Sequence, residues 1–549
     1  MRVRRSSVAV ASPARLSRVG QIEELGRGKF DLVVIGGGIT GAWLALDATS
    51  RGLRTALVEK DDFASGTSSK SSKMIHGGLR YIEQRNFGLV YHSLKERARA
   101  HRNAPHLVQR LPFLFPVLQE EGVFDPRTAR AFEGLLWMYD ALGGWRIGRL
   151  HERLSRSEAL AHCPTLPAKH LRGGLLYYDA RVDDARLTMT VVRTAAALGA
   201  TVLNGARVLN VRDEPARPDV LVDVDIEGDK LEVRSEVVIA AGGVWNDRIA
   251  GVTRAGAASR IRPGKGAHIF LPWSLVRNDC TVTVPIPGRA RRATVTRWGN
   301  TVCVGTTDTD YTGSPDDVHC TRAEMEFLLE GVNHAFELSA TPDDVLGSCA
   351  GLRPLVGSNS GTTMEMRRNH EITSQGRVVA LTGGKLTTGR YMAEQAIDRV
   401  LGLTGRTARC RTARLKLLGG AGYDAESVTA TGGLTAHLGE RYGTEAWRVH
   451  ELIAADISLA EQIVPDLPYV KAEVIFAARH ELARSVDDVL SRRTRARLFA
   501  RKASISAAEG VGRLLQDELG LTAEAVRRQV SDYRSDVERE GNILLGDAS

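Results

Sequence analysis

Gly36, Gly37, Gly38 and Gly41, followed by Glu59, are spaced to hold a dinucleotide. In the turn Gly36-Gly37-Gly38-Ile39-Thr40-Gly41 the first glycine permits a tight bend. The third lets backbone N–H groups approach a pyrophosphate with no Cβ in the way, and the last lets a helix pack closely on a strand. The phosphates then lie at a helix N-terminus, where peptide dipoles and unpaired N–H groups favour anions. Glu59, about 20 residues beyond the turn, is placed to bind a ribose hydroxyl pair. The elements these positions require stand in order: a buried strand over 31–35, a helix over 42–50 ending at Gly52, and a second strand over 55–58 that delivers the acid. A glycine-rich turn alone is commonplace; strand, helix and acid together make it a dinucleotide site.

Two later segments are suited to surround the other half of the same cofactor. Val237-Val-Ile-Ala-Ala-Gly242-Gly-Val-Trp245 is a buried-strand pattern that ends in small residues. Val378-Val-Ala-Leu-Thr-Gly383-Gly384-Lys385 repeats the design, and the helix after it pairs apolar residues at 392/393, 396/397 and 400/401, the spacing of one buried face. Its N-terminus, with Lys385 beside it, would stabilise negative charge on a reduced flavin ring. Core strands of an ordinary α/β sheet would read the same way. A nicotinamide-dependent reductase therefore remains a rival, which the absorption spectrum of the purified protein separates.

The richest constellation is Thr67-Ser68-Ser69-Lys-Ser-Ser-Lys73-Met-Ile-His76-Gly77-Gly78-Leu-Arg80-Tyr81-Ile-Glu83. With it the chain resembles the FAD-dependent, quinone-linked glycerol-3-phosphate dehydrogenases. The resemblance continues in Lys265-Gly-Ala-His268, Val304-Gly-Thr-Thr-Asp308, Ala350-Gly-Leu-Arg353, Arg368-Asn-His-Glu371, Gly383-Gly-Lys-Leu-Thr387-Thr and Arg479-His-Glu-Leu-Ala-Arg484, covering nearly the whole chain beyond its basic start. It implies glycerol catabolism: oxidation of sn-glycerol 3-phosphate to dihydroxyacetone phosphate, hydride passing from C2 to flavin N5 and electrons onward to a membrane quinone. It also implies FAD contacts from Ser68, Ser69, Gly242, Gly383 and Gly384 beside the glycine turn and Glu59.

A phosphate dianion calls for the guanidinium fork and the compact ammonium charge. Arg80, Arg353 and Arg368 are assigned to substrate on the matching motifs, with Tyr81 and Thr387 as neutral donors and Lys385 serving substrate or flavin. Loss of the C2 hydroxyl proton needs a base, and histidine titrates near neutrality. His76, flanked by glycines, ranks ahead of His268, which is also assigned to substrate. A guanidinium such as Arg353 could instead stabilise the alkoxide.

The expected fold class is α/β: a discontinuous Rossmann-like FAD-binding domain with a β-rich substrate cap, then a C-terminal helical domain. The boundaries are a flexible basic tail over 1–28, the oxidoreductase with its inserted cap over 29–405, and helices over 406–549. Within the cap, strands are expected at 281–284, 293–296 and 301–304. At 549 residues the chain needs more than one core. No apolar run reaches the roughly 20 residues of a membrane span, so membrane contact is expected to be peripheral. Six scattered cysteines without a C-x-x-C favour a reducing compartment and argue against a structural zinc site; no metal is expected.

The tail's Arg4-Arg5 lacks the apolar stretch of an export signal, so the expected location is the cytoplasm, with peripheral attachment at the inner face of the cell membrane. A net charge of +9 suits an anionic substrate, an anionic lipid surface or nucleic acid alike. An FAD-containing RNA-modification factor lacks support, because no basic, aromatic-interleaved stretch is present. An oxidase that passes electrons to oxygen stays open as the alternative acceptor, and a homo-oligomer stays open as well.

Overall fold

The computed structural model describes residues 15–118, 126–253, 261–286, 289–356 and 370–546, apart from the side chains of Arg80, 250–253 and 289–291. Strand Lys29–Ile35 is central to the first sheet. It runs parallel to Thr55–Val58 on one side and to Asp229–Ala240 on the other, and the outer strands Thr201–Leu203 and Val378–Gly383 extend the parallel order. Side chains alternate across a strand, and both faces here are covered. Leu32 and Val34 meet helices Ile39–Ser50, Asp184–Ala197 and Gly389–Leu403 through Leu44, Val191 and Ile397. Val33 and Ile35 meet a layer built from Val220–Ile226 and its neighbours. That double burial explains the unbroken apolar run of this strand.

The glycine turn leaves the C-terminal end of the central strand between its two parallel neighbours, where open α/β sheets form their ligand crevice. Gly41 is obligatory there, because a Cβ on it would stand 1.8 Å from the Gly36 carbonyl oxygen.

The stretch expected to be a flexible basic tail over 1–28 includes a helix, and residues 1–14 lie outside the described residues. Arg18–Arg27 is a helix, started by Ser17, whose hydroxyl accepts from the Gly20 N–H at 3.2 Å. Leu25 is fully buried with Phe30 and Val33, and Ile22 packs on the same cluster. An i,i+3 apolar pair is too short a periodic signal to stand out among arginines.

The second sheet forms the cap. Among the described residues its order runs from Thr309–Asp310 through Ile261–Pro272, Thr301–Gly305, Arg289–Trp298, Thr281–Ile286, Gln109–Leu118 and Leu171–Arg181 to Met74–Ile75. The three expected cap strands are present, each longer than read, with Gly299 at φ +60° in the turn between the last two. Gly347–Val356 pairs with Ile261–Pro272 in a register that sets Arg353 opposite Gly264 and Cys349 opposite His268.

Helices from Ala425 to Leu545 make the C-terminal region. Buried ion pairs tie it to the rest: Asp62 with Arg492 and Arg493, Asp184 with Arg495, and Glu445 with Arg193. The Ser485 hydroxyl accepts from the Asp488 N–H while the Asp488 carboxylate accepts from the Ser485 N–H, a reciprocal cap.

Candidate active site

A cleft of about 640 Å³ runs from the glycine turn to the cap. At one end Gly36, Gly38 and Glu59 line it, with Gly242, Gly383 and Gly384 on adjoining strand ends; at the other stand His76, Tyr81, His268, Arg353, Lys385 and Thr387. The parallel order of the first sheet accounts for this meeting, since the three glycine-rich segments all leave the same edge.

Glu59 accepts from the backbone N–H groups of Gly37 at 2.6 Å and Asp61 at 2.9 Å. Burial pushes its carboxyl up to about 6, the two N–H donors opposing that rise. Gly37 does not line the cleft, and a Cβ on it would meet Phe63 and Glu59; Gly41 serves helix packing. The Ser68 hydroxyl accepts from the Ile39 N–H at 2.8 Å, at the N-terminus of the helix that follows the turn. Ser69 departs from expectation. It does not face this cleft; its side chain is buried, donates to the Gly66 carbonyl, and lies on the wall of a separate cavity. Neighbours in an irregular segment point to opposite sides, which no local motif reveals.

His76 lies on the turn after the short strand Met74–Ile75, and its backbone is held from two directions. Thr387 accepts from its N–H at 3.2 Å and donates to its carbonyl. The next N–H, of Gly77, donates to Tyr139 Oη at 3.0 Å and to Asp179 at 3.1 Å. Asp179 in turn accepts from Tyr139 at 2.6 Å and pairs with the buried Arg97 at 2.5 Å. The Thr387 hydroxyl, expected to face substrate, is thus occupied with the His76 backbone. Arg97, Tyr139 and Asp179 carry no sequence signal of their own, because they come from three separate elements.

His268 is buried, and its Nε2 shares a hydrogen bond of 2.9 Å with Ser72 Oγ; Nδ1 has no hydrogen-bond partner among the described residues. Burial, then the charges of Lys73 and Arg353, hold this imidazole down at about 3. It is neutral at any pH near 7 and a poor proton acceptor.

Arg353 pairs with Asp308 at 3.0 Å and donates to Thr306 Oγ1 at 3.0 Å and to the Lys265 and Thr307 carbonyls at 3.3 Å. Gly266 makes room for it, since a Cβ there would meet the guanidinium at 2.5 Å. The Lys385 ammonium stands 5.1 Å from the centre of the Tyr81 ring, a cation–π distance. Arg292, absent from the sequence reading, lines the cleft over the Phe115 ring at 5.3 Å. Arg80 begins the turn Arg80–Glu83, but its side chain lies outside the described residues, as does Arg368 altogether. No helix among the described residues is long and apolar enough to cross a membrane.

Comparison with known proteins places this geometry. A family model described as FAD dependent oxidoreductase matches residues 31–399, and one described as the C-terminal domain of alpha-glycerophosphate oxidase matches residues 410–526. The chain is 39% identical to glycerol-3-phosphate dehydrogenase 2 of Mycobacterium tuberculosis, across 94% of this chain and 90% of that one. It is 38% identical to the glycerol-3-phosphate dehydrogenase of Mycobacterium leprae, across 95% and 90%. Among solved structures it resembles the Bacillus halodurans glycerol-3-phosphate dehydrogenase complexed with FAD, with a TM-score of 0.77 and 26% identity over 97% of this chain and 98% of that one.

Proposed function

This chain belongs to the FAD-dependent glycerol-3-phosphate dehydrogenases, and we propose that it oxidises sn-glycerol 3-phosphate to dihydroxyacetone phosphate and delivers the electrons to a membrane quinone. The observation that carries the reading is the union, in one cleft, of the glycine-turn end with a cationic end bearing Arg353, Lys385 and two histidines. The residues fit FAD: Glu59 closes the second strand beside the turn, and a Cβ on Gly38 would already stand 3.0 Å from Ser68 Oγ, so this backbone is kept bare where a pyrophosphate must come close. Gly36, Gly38, Glu59, Ser68, Gly242, Gly383 and Gly384 would hold it. When bound, FAD supplies the acceptor for the hydride from C2.

The chain's own groups do the rest. Arg353, Lys385 and Arg292 attract the phosphate dianion, with Tyr81 under Lys385; Arg80 and Arg368 are assigned to the same task on their motifs. Asp308 and Thr306 keep the Arg353 fork in one orientation, so little rotamer entropy is lost when substrate arrives. His76 takes the C2 hydroxyl proton, because the competing histidine is too weak a base. Thr387, Asp179, Tyr139 and Arg97 position His76 through its backbone. His268 offers a neutral partner to a substrate hydroxyl.

The quinone acceptor brings a lipid surface with it. Trp137 and Trp145 are 62% and 56% exposed, and Phe87, Tyr91, Met138 and Leu150 are exposed near them. Arg146 lies over both Tyr91 and Trp145, joining the helix Phe87–Asn103 to the short turn Gly144–Ile147 that follows the helix Pro126–Ala141. Exposed aromatics among arginines match the headgroup region of an anionic bilayer. Turnover with sn-glycerol 3-phosphate and a water-soluble quinone should yield dihydroxyacetone phosphate with no hydrogen peroxide. Stoichiometric peroxide in place of quinol would make the protein an oxidase.

A further inference from the structure

A second cavity, of about 550 Å³, lies behind the wall of the first. Lys60, Ser65 and Lys70 line both, so the segment 65–70 separates them. The opposite wall comes from the C-terminal region, with Asp487, Arg492 and Arg497 facing the segment. Nothing in the oxidation chemistry uses this space.

Its charges are almost all satisfied. Arg492 pairs with Asp62 at 2.5 Å, Asp488 at 2.6 Å and Asp487 at 2.8 Å. Arg497 pairs with Asp536 at 2.6 Å and Glu540 at 2.9 Å. Every carboxylate on the walls already has a guanidinium or ammonium within ion-pair distance, so a metal cation or an amine ligand would have to break a pair to enter. Lys70 is different. Its ammonium forms no hydrogen bond or ion pair with the described residues; burial and the guanidiniums of Arg497 and Arg492 disfavour its charge, opposed in part by Cys349 and Asp487. A half-buried ammonium facing two guanidiniums, in a space large enough for a small molecule, is completed by an anion. Phosphate oxygens can accept from all three at once.

We propose that this cavity is a second anion site, which takes the phosphate group of a small phosphorylated molecule on Lys70, with Arg492 and Arg497 as secondary donors. Occupancy is felt in the flavin cleft, because the segment that carries Lys70 also carries Ser68, bonded to Ile39 at the cofactor helix, and Thr67, whose hydroxyl donates to the Leu352 carbonyl at 2.6 Å beside Arg353. The site is therefore wired to regulate flavin or substrate affinity rather than to react.

Calorimetric titration of the FAD-loaded enzyme with pyrophosphate, followed in parallel by the visible flavin spectrum, tests this. Because pyrophosphate could also enter the substrate site, Lys70→Gln and Arg353→Met are compared. The expected result is that Lys70→Gln weakens binding by roughly 10- to 150-fold, the loss of one charge-assisted contact, and abolishes the spectral change, while Arg353→Met retains both and Lys70→Arg restores them. Binding that survives in Lys70→Gln and disappears in Arg353→Met would assign the anion to the substrate site and overturn the proposal. So would the absence of binding to the parent enzyme. Removing an unpaired cation should leave Lys70→Gln at least as thermostable as the parent in anion-free buffer. Should that variant not fold, Lys70→Met replaces it.

Discussion

The Thr387 hydroxyl meets both backbone polar groups of His76, accepting from its N–H at 3.2 Å and donating to its carbonyl at 3.3 Å, across 311 positions of sequence. This contact joins two segments that line the same end of the cleft. Thr387→Val keeps the shape and removes both bonds, which costs about 0.5–1.5 kcal/mol in a typical buried case. If His76 is the base, kcat should fall while flavin content and KM change little, and Thr387→Ser should recover most of the loss. An equal fall in flavin content would make the threonine a cofactor-site residue instead.

Gly38→Val should fold but lose FAD. The branched side chain would press on Ser68 Oγ, which a Cβ already approaches at 3.0 Å, and would fill the space the pyrophosphate needs. Circular dichroism together with flavin released on acid precipitation checks this. Release from the parent also tests whether FAD is held without a covalent link, as expected; colour that stays with the pellet would contradict it.

His268, held at about 3, takes no proton during turnover near neutrality. The acid limb of the kcat/KM profile should therefore persist in His268→Gln and vanish with substitution of His76. The same burial has a stability signature. The unfolded histidine, with its ordinary value near 6.5, binds a proton that the folded one refuses, so folding is favoured less as pH drops from about 6.5 towards 3. At pH 5 this amounts to about 2 kcal/mol. His268→Gln should flatten the dependence of urea stability on pH between 7 and 5 by about one proton relative to the parent; an unchanged slope would mean that His268 titrates normally.

Binding to vesicles should have two components. Salt should weaken attachment to anionic lipid, and the double change Trp137→Ser with Trp145→Ser should weaken what remains in high salt. Sedimentation across a salt series decides this. Binding that ignores both the salt and the tryptophans would remove the aromatic patch from the account.

The local half of this architecture is legible in the sequence. The glycine turn, its strands and the acid at position 59 are fixed by neighbours a few residues away, and the buried strand ending at Ala240 announces itself by composition. What escapes are contacts made by folding alone. Asp179, Tyr139 and Arg97 support the His76 turn from three elements, Arg292 reaches the cleft from a cap strand, and the hydroxyl of Thr387 turns towards a backbone rather than a ligand. Ser69 escapes for another reason, since in an irregular segment adjacent side chains diverge without a period to follow.

Anaerobic mixing of the purified, oxidised enzyme with sn-glycerol 3-phosphate is the most direct test of the central claim. The yellow flavin colour should bleach, with one dihydroxyacetone phosphate formed per flavin. Glycerol, which has no phosphate for the cationic end to hold, should bleach it very slowly. Arg353→Met should slow the reaction with glycerol 3-phosphate by roughly 10- to 150-fold in kcat/KM, equivalent to about 1.5–3 kcal/mol, and affect glycerol far less. A flavin that stays yellow with glycerol 3-phosphate, or one that glycerol reduces equally fast, would contradict the account.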